Sequence, residues 1–227
     1  VININIQEMG GFSVPKPQIH VLIAAAGSGA RFNSDDNMPK QYQFLNGKTI
    51  LDRAIDKFKN INKINNIYCI INPNYEDKYN TINNAGRVST LEGSKTRKNS
   101  IFNALKTIPD VKSEDIILIH DAARPLVAEA DIIKLIKSLD QNRAATLATP
   151  VTATLRKEDK NNCGVQIPRD GLWAMQTPQA FRYKDILKAH ESAEDGINYT
   201  DDTSLATAIG IDVKLVEGNN ENFKITT

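Results

Sequence analysis

Apolar runs recur along this chain at the spacing of a strand–helix repeat, and they are apolar without strict alternation. Ile19 to Gly27 reads IHVLIAAAG, Asn66 to Ile71 reads NIYCII, Asp115 to His120 reads DIILIH and Ala144 to Pro150 reads AATLATP, with a shorter run at Arg87 to Leu91. Strands that are apolar on both faces belong in a parallel sheet covered by helices. Helical patterns lie between them, at Thr49 to Lys59, Tyr75 to Asn83, Ser94 to Thr107 and Ala130 to Asp140. The alternation predicts an α/β fold built on a doubly wound, mostly parallel sheet. Val151 to Asp170 breaks the rhythm with two extended polar pieces around a turn cluster at Asp159 to Gly164, which predicts a β-hairpin arm. Gly171 to Gln179 reads as an apolar stretch ending in a polar turn, with Trp173 in the core. Helices at Tyr183 to Ser192 and Asp202 to Ile209 and a strand at Asp212 to Val216 complete the pattern.

A chain of 227 residues that is 41% hydrophobic suits one domain with a sizeable core. Residues 1–18, with Gly10, Gly11, Pro15 and Pro17, are expected to be a flexible extension, and 19–227 a single domain. The chain starts with Val, so Met9 is a candidate natural start. Lys and Arg total 28 against 27 Asp and Glu, so attraction for phosphate must come from local clusters, and a generic nucleic-acid binder is disfavoured. Cys69 and Cys163 are far apart and lack metal-ligand spacing, which points to a reducing compartment. No apolar run approaches the roughly 18 residues of a membrane span, and a cytoplasmic protein is expected.

In an open α/β sheet the first strand–helix connection usually holds phosphate. Here it is Ala25-Ala26-Gly27-Ser28-Gly29-Ala30-Arg31, followed by Pro39-Lys40-Gln41. Small residues let backbone N–H groups approach an anion, and Arg31 and Lys40 add charge. Phe32 stands where a dinucleotide fingerprint needs its third glycine, and no P-loop is present. A second constellation, His120-Asp121-Ala122-Ala123-Arg124-Pro125, follows a strand: Asp121 is placed to hold Mg²⁺ or a ribose hydroxyl, or else to be a turn residue paired with Arg124. None of His20, His120 and His190 has metal-ligand spacing, so His120 reads as structural. Gly93, Ser94, Arg97 and Ser100 open a helix that either reads a base or is plainly capped, and Thr200-Asp201-Asp202 reads as an acidic cap.

Taken in order, AAAGSGARF, MPKQY, HDAARP, GLWAMQTPQAF, YTDDTS and VEGNNENFKIT resemble the 2-C-methyl-D-erythritol 4-phosphate cytidylyltransferases of the non-mevalonate isoprenoid pathway, over roughly residues 19 to 227. The resemblance implies a Rossmann-like nucleotidyltransferase fold, a homodimer formed through a protruding arm at 151–170, and transfer of CMP from CTP with Mg²⁺. Carried over by motif, Ala25, Ala26, Gly27, Gly29, Arg31 and Lys40 match the CTP-phosphate loop, and Gly93 and Ser100 the cytosine segment. Asp121 matches the residue near metal and ribose. Arg124, Thr154, Arg169 and Thr177 match residues around the methylerythritol phosphate, and Lys224 matches a second catalytic lysine. Glu221 stands where the family usually has Asp before Asn-x-Lys, and the chain stops at Thr227 where relatives usually continue, so it is expected to be trimmed or to come from a fusion with the cyclodiphosphate synthase.

The chemistry so implied needs no general base, because the attacking phosphate monoester is already deprotonated near neutral pH, its second pKa being about 6. Catalysis is expected to rest on charge and positioning by Arg31, Lys40, Lys224 and Mg²⁺. The alternatives are a ribitol-5-phosphate cytidylyltransferase, which shares the glycine loop and PKQ, an NAD(P)-dependent oxidoreductase, and a nucleotide-binding protein without catalysis.

Overall fold

A computed structural model describes residues 16–27, 38–78, 86–194 and 196–226. Its first strand, β1 (Ile19–Ala25), is followed by a short 3₁₀ turn at Lys40–Tyr42 and by a small hairpin, β2 (Phe44–Leu45) and β3 (Lys48–Thr49). Asn46 and Gly47 close that hairpin, both at positive φ (48° and 80°), the conformation for which Asn-Gly is the favoured pair. Helix α1 (Ile50–Lys59) starts at Thr49, whose hydroxyl accepts from the Asp52 N–H while the Asp52 carboxylate accepts from the Thr49 N–H. Then come β4 (Asn66–Ile71), β5 (Val88–Glu92), α2 (Arg97–Thr107), β6 (Ile116–Asp121), α3 (Glu129–Ser138) and β7 (Ala144–Pro150). The arm follows as β8 (Leu155–Asp159) and β9 (Asn162–Ile167), and the chain returns through β10 (Trp173–Arg182), α4 (Tyr183–Glu191), α5 (Asp202–Ala208) and β11 (Val213–Glu217).

Seven strands form one sheet in the order β11-β7-β10-β6-β1-β4-β5, and every pairing is parallel except the two made by β10. Both faces are covered, as the unalternating apolar runs require. Val21 and Ile23 of β1 pack with Leu51 and Phe58 of α1 and Leu135 of α3 on one side. Leu22 points the other way, into a second layer with Leu105 of α2 and Ile186 of α4. The doubly wound α/β expectation therefore holds.

Four local expectations need correction. The described part of the helix expected over Tyr75 to Asn83 is a 3₁₀ stretch, Pro73–Lys78, kinked at Tyr75 (φ −124°). Gly171 to Gln179 is not a terminating turn but most of β10, a strand inserted between β6 and β7. Its register shifts between Met175 and Gln179, so Gln176, Thr177 and Pro178 leave the ladder where a proline, lacking an N–H, is tolerated. Trp173 on that strand is only half-buried rather than a core residue. The arm is a hairpin as expected, but its turn is confined to Lys160 and Asn161, both at positive φ, and Asn162 to Gly164 already belong to β9.

The glycine before α2 is dictated by close approach. A Cβ on Gly93 would lie 2.1 Å from Ala26 Cβ and 2.9 Å from the Ile71 carbonyl oxygen, which accepts the Gly93 N–H at 2.7 Å. Gly93→Ala is accordingly expected to lose about 1–3 kcal/mol of stability through overpacking. Urea denaturation checks this, and an unchanged midpoint would mean that the two loops part without cost.

Candidate functional site

β1 and β6 are neighbours in register, Ala24 opposite Asp121, so both chains leave the sheet at the same edge. The chain winds from β1 to β4 and β5 on one side and returns to β6 on the other, and ligands of open α/β sheets sit at such a reversal. A cleft of about 570 Å³ lies there, with Gly27, Lys40, Gly93's neighbour Ser94, Arg97, Asp121 and Lys224 on its walls.

The glycine loop's entry is fixed from below. Gln41 Nε2 donates to the carbonyls of Ala25 (2.7 Å) and Gly27 (2.6 Å), and Tyr42 Oη donates to the Ala25 carbonyl at 2.9 Å. Ala26 and Gly27, beside those anchored carbonyls, line the cleft. Gly29 and Arg31 lie outside the described residues. Across the cleft, Ser100 accepts the Ser94 N–H at 2.8 Å and donates to the Thr96 carbonyl at 2.8 Å, holding the turn before α2 in shape.

The C-terminal segment is stitched to the same edge. Asn222, fully buried, donates from Nδ2 to Gln176 Oε1 (3.1 Å) and to the Thr177 carbonyl (2.9 Å), and the Ile225 N–H reaches the Ala123 carbonyl at 2.9 Å. Lys224, held between these anchors, places Nζ 2.7 Å from Asp121 Oδ2. Lys40 Nζ donates to the Ile225 carbonyl at 2.6 Å, so the two lysines flank one strip of chain.

Asp121 is the electrostatic centre. Arg97 Nε donates to Oδ1 at 3.1 Å and Lys224 to Oδ2, and together the cations outweigh the cost of burial and hold the carboxyl well below the usual carboxylate range. Arg97 also bonds Asp202 Oδ2 at 2.6 Å; burial disfavours its charge, but the two carboxylates raise its pKa above the ordinary value. Asp121 and Arg124 do share the expected turn, the Arg124 N–H donating to the Asp121 carbonyl at 3.0 Å, but their side chains do not pair: the Arg124 guanidinium donates to the carbonyls of Asn222 (2.7 Å) and Met175 (3.2 Å). Thr177 Oγ1 accepts the Asp121 N–H at 3.0 Å and bonds His120 Nδ1 at 3.1 Å, which ties β10 to β6 beneath the site.

The structure thus gathers Ala26, Gly27, Lys40, Ser100, Asp121 and Lys224 around one cleft. It does not bring Thr154 or Arg169 there. Thr154 is exposed beside the arm, and Arg169 bonds the Thr152 carbonyl at the arm's base. Asp201 is the expected cap of α5, accepting from the Ser204 N–H, but Asp202 turns inward to Arg97 and His190. Arg97 as a bridge, Gln41 as a loop anchor and Asn222 as a staple were not foreseen as such. Only the adjacency of Gln41 to Pro39-Lys40, and of Asn222 to Lys224, offered a hint.

A profile of the 2-C-methyl-D-erythritol 4-phosphate cytidylyltransferase family matches residues 19–227. A cytidylyltransferase of that name from Desulforamulus reducens is 38% identical over 218 residues, covering 92% of this chain and 91% of the relative. A bifunctional enzyme, IspD/IspF, from Rhizorhabdus wittichii is 39% identical over 212 residues, and this chain spans 54% of its length. Among solved structures, the crystal structure of Francisella tularensis 2-C-methyl-D-erythritol 4-phosphate cytidylyltransferase superposes with a TM-score of 0.80 at 33% identity, covering 92% of this chain and 94% of that one.

His120 supports the site by remaining neutral, as its structural assignment requires. Burial pushes its imidazole from 6.5 down to about 4, against the opposing pull of Asp121. Nδ1 then accepts from the Thr177 hydroxyl and Nε2–H donates to the Arg124 carbonyl at 3.1 Å. Such a group weakens the fold as pH falls, because the unfolded chain takes up the proton first. Its contribution is complete above about pH 6.5 and is lost on the way down to about pH 4. The expected loss is roughly 1–3 kcal/mol across that window. Urea denaturation at several pH values checks it: the slope of stability with pH is expected to be shallower in His120→Gln than in the wild type.

Proposed function

The chain belongs to the 2-C-methyl-D-erythritol 4-phosphate cytidylyltransferase family, and from that membership we propose how its cleft works. The reaction transfers CMP from CTP to 2-C-methyl-D-erythritol 4-phosphate in isoprenoid precursor biosynthesis. A phosphate oxygen of the acceptor attacks the α-phosphorus of CTP, the bond to the β-phosphate breaks, and pyrophosphate leaves. Two polyanions must meet, so the main task is neutralisation and alignment. The observation that carries the reading is the convergence of Lys40, Lys224 and Arg97 with Asp121 at the edge where β1 and β6 end. The relatives' names favour this acceptor over ribitol 5-phosphate and this chemistry over a nicotinamide-dependent one.

In this reading Ala25, Ala26, Gly27 and Gly29 form the loop under the CTP phosphates, and Arg31 and Lys40 supply charge to them. Lys224 moves between Asp121 and the reacting phosphate, a short step for a flexible side chain that is 40% exposed. The turn from Gly93 to Ser100 selects cytosine, since groups shaped to bond one base are left unpaired by another. No cluster of three metal-ligating side chains exists among the described residues, and the single carboxylate of Asp121 fits a hard cation that draws its other ligands from phosphates and water. A bound Mg²⁺ would offset phosphate charge there. The direct test is pyrophosphate release with CTP, Mg²⁺ and a panel of polyol phosphates. Lys40→Ala and Lys224→Ala are each expected to lower turnover by roughly two orders of magnitude or more with the fold intact; near-normal turnover would remove that lysine from the mechanism.

The acceptor site is proposed to be shared between two copies of the chain, with residues 19–227 acting as one domain; the extension expected at 1–18 lies, but for its last three residues, outside the described residues. The arm exposes Val165 (77%) and Ile167 (41%), and an isolated two-stranded hairpin is marginal in water. A two-fold partner arm would cover those side chains and carry Thr154 and Arg169 to the neighbouring cleft, where Arg124 and Thr177 complete the phosphate's surroundings. Both cysteines, Cys69 and Cys163, are free, which supports a reducing, cytoplasmic location. The decisive experiment mixes Arg169→Ala and Lys40→Ala subunits. Shared sites predict that the heterodimer regains one intact site, whereas self-contained sites predict no recovery.

A further inference from the structure

Asp202 is a carboxylate, 1% exposed, to which the chemistry above gives no task. A charge so deeply buried is costly unless fully partnered, and both of its oxygens are taken. Oδ1 accepts from His190 Nε2 at 3.1 Å and Oδ2 from Arg97 Nη1 at 2.6 Å. Its backbone N–H is held by Gln179 Oε1 at 3.1 Å, which fixes the start of α5 against β10. The His190 ring lies flat against Phe102, with centroids 5.8 Å apart and planes within 9°, and its Nδ1 is buried without a partner. The imidazole is therefore committed to Asp202. Arg97 comes from α2, His190 from α4 and Asp202 from α5, so three helices converge on one guanidinium.

What this convergence does follows from arginine geometry. A guanidinium beside a lone carboxylate tends to close two parallel hydrogen bonds and occupy both oxygens. Here Asp202 draws Nη1 to itself, and Arg97 reaches Asp121 through Nε alone, at 3.1 Å. Lys224 takes one further position on Asp121, and a carboxylate has about four acceptor positions in all. We infer that Asp202 and His190 are positioning residues for the nucleotide: by dividing the Arg97 fork they steady Asp121 through one bond and leave its remaining acceptor positions to the nucleotide and its cation. The inference rests on the cytidylyltransferase reading of the cleft, and it gives the arginine a partner that sets how it binds rather than whether it binds.

Removing the Asp202 charge should let Arg97 swing wholly onto Asp121. Asp202→Asn is expected to weaken CTP binding, read by calorimetry with and without magnesium, by about tenfold, and to raise KM for CTP by a similar factor while KM for the polyol phosphate stays within about twofold. A merely structural role would lower the melting temperature without that split. Two further measurements isolate the route. In an Arg97→Gln background, adding Asp202→Asn should change CTP affinity by less than about twofold, because the two act as a unit. His190→Gln keeps a donor for Asp202 and should hold near wild-type affinity, whereas His190→Leu should lose it. Should Asp202→Asn fail to fold, the His190 pair, which leaves every carboxylate in place, decides. Equal CTP affinity in wild type, Asp202→Asn and His190→Leu, or additive effects with Arg97→Gln, would overturn the inference. A wild-type protein that releases no pyrophosphate would instead overturn the proposed function.

Discussion

The parallel pairing of β1 with β6, buried on both faces, is the constraint on which the rest of the molecule depends. Pairing fixes Ala24 opposite Asp121, and burial fixes the faces, because a slip of one residue would exchange Val21 and Ile23 with Leu22 between the two helix layers. Ala25 to Gly27 and the Asp121 carboxylate therefore leave the sheet side by side. Helices α1 and α3 on one face, and α2, α4 and α5 on the other, are attached to this pair by apolar contact. They deliver Arg97, His190 and Asp202 to the same edge as a consequence of where their apolar stripes must lie.

Polar anchoring completes what packing begins. The segment after β11 is tied to the sheet by isolated backbone bonds, such as that of the Ile225 N–H to the Ala123 carbonyl, and it carries Lys224, so its position also depends on side-chain hydrogen bonds. Asn222 supplies them by satisfying Gln176 and the Thr177 carbonyl at the place where β10 leaves its register. The irregularity in β10 thus has a use: residues freed from the ladder turn their polar groups toward the C-terminal strip and toward the Asp121 backbone. Arg124 reinforces the same strip through the Asn222 carbonyl, which explains why a cation beside a buried aspartate does not simply pair with it.

Much of this was legible in the sequence, and the reasons for the remainder are physical. Runs such as NIYCII and DIILIH point to buried parallel strands because they are short and their apolar residues do not alternate with polar ones. β10 escaped the same logic: Gln176, Thr177 and Pro178 mimic a turn, and only the long-range pairing with β6 and β7 makes them an interruption in a strand. The motifs HDAARP and MPKQY pointed to Asp121 and Lys40, but the pairing of Asp121 with Arg97 and Lys224 spans 24 and 103 residues. Periodicity cannot see contacts of that range. Arg124, the cation nearby in sequence, meets Asp121 through the backbone turn and not through its guanidinium.

Two buried aspartates lie at opposite ends of β6 and are held by different kinds of partner. Asp115, just before the strand, accepts backbone N–H groups from Gln18 and Lys112, both at 2.8 Å. Those donors belong to the main chain, and the buried His20 Nε2 lies 3.6 Å from Oδ2, so the carboxylate ties the start of β1 to the turn before β6 at the bottom of the sheet. Asp121, at the strand's other end, has its carboxylate oxygens held by the side chains of Arg97 and Lys224. A side-chain cation can exchange a carboxylate for a phosphate at little cost, because each offers it a charge-assisted bond. The two aspartates thus differ in what holds them, main-chain donors and a buried imidazole for Asp115 and long charged side chains for Asp121, and only Asp121 sits at the edge where open sheets bind ligands.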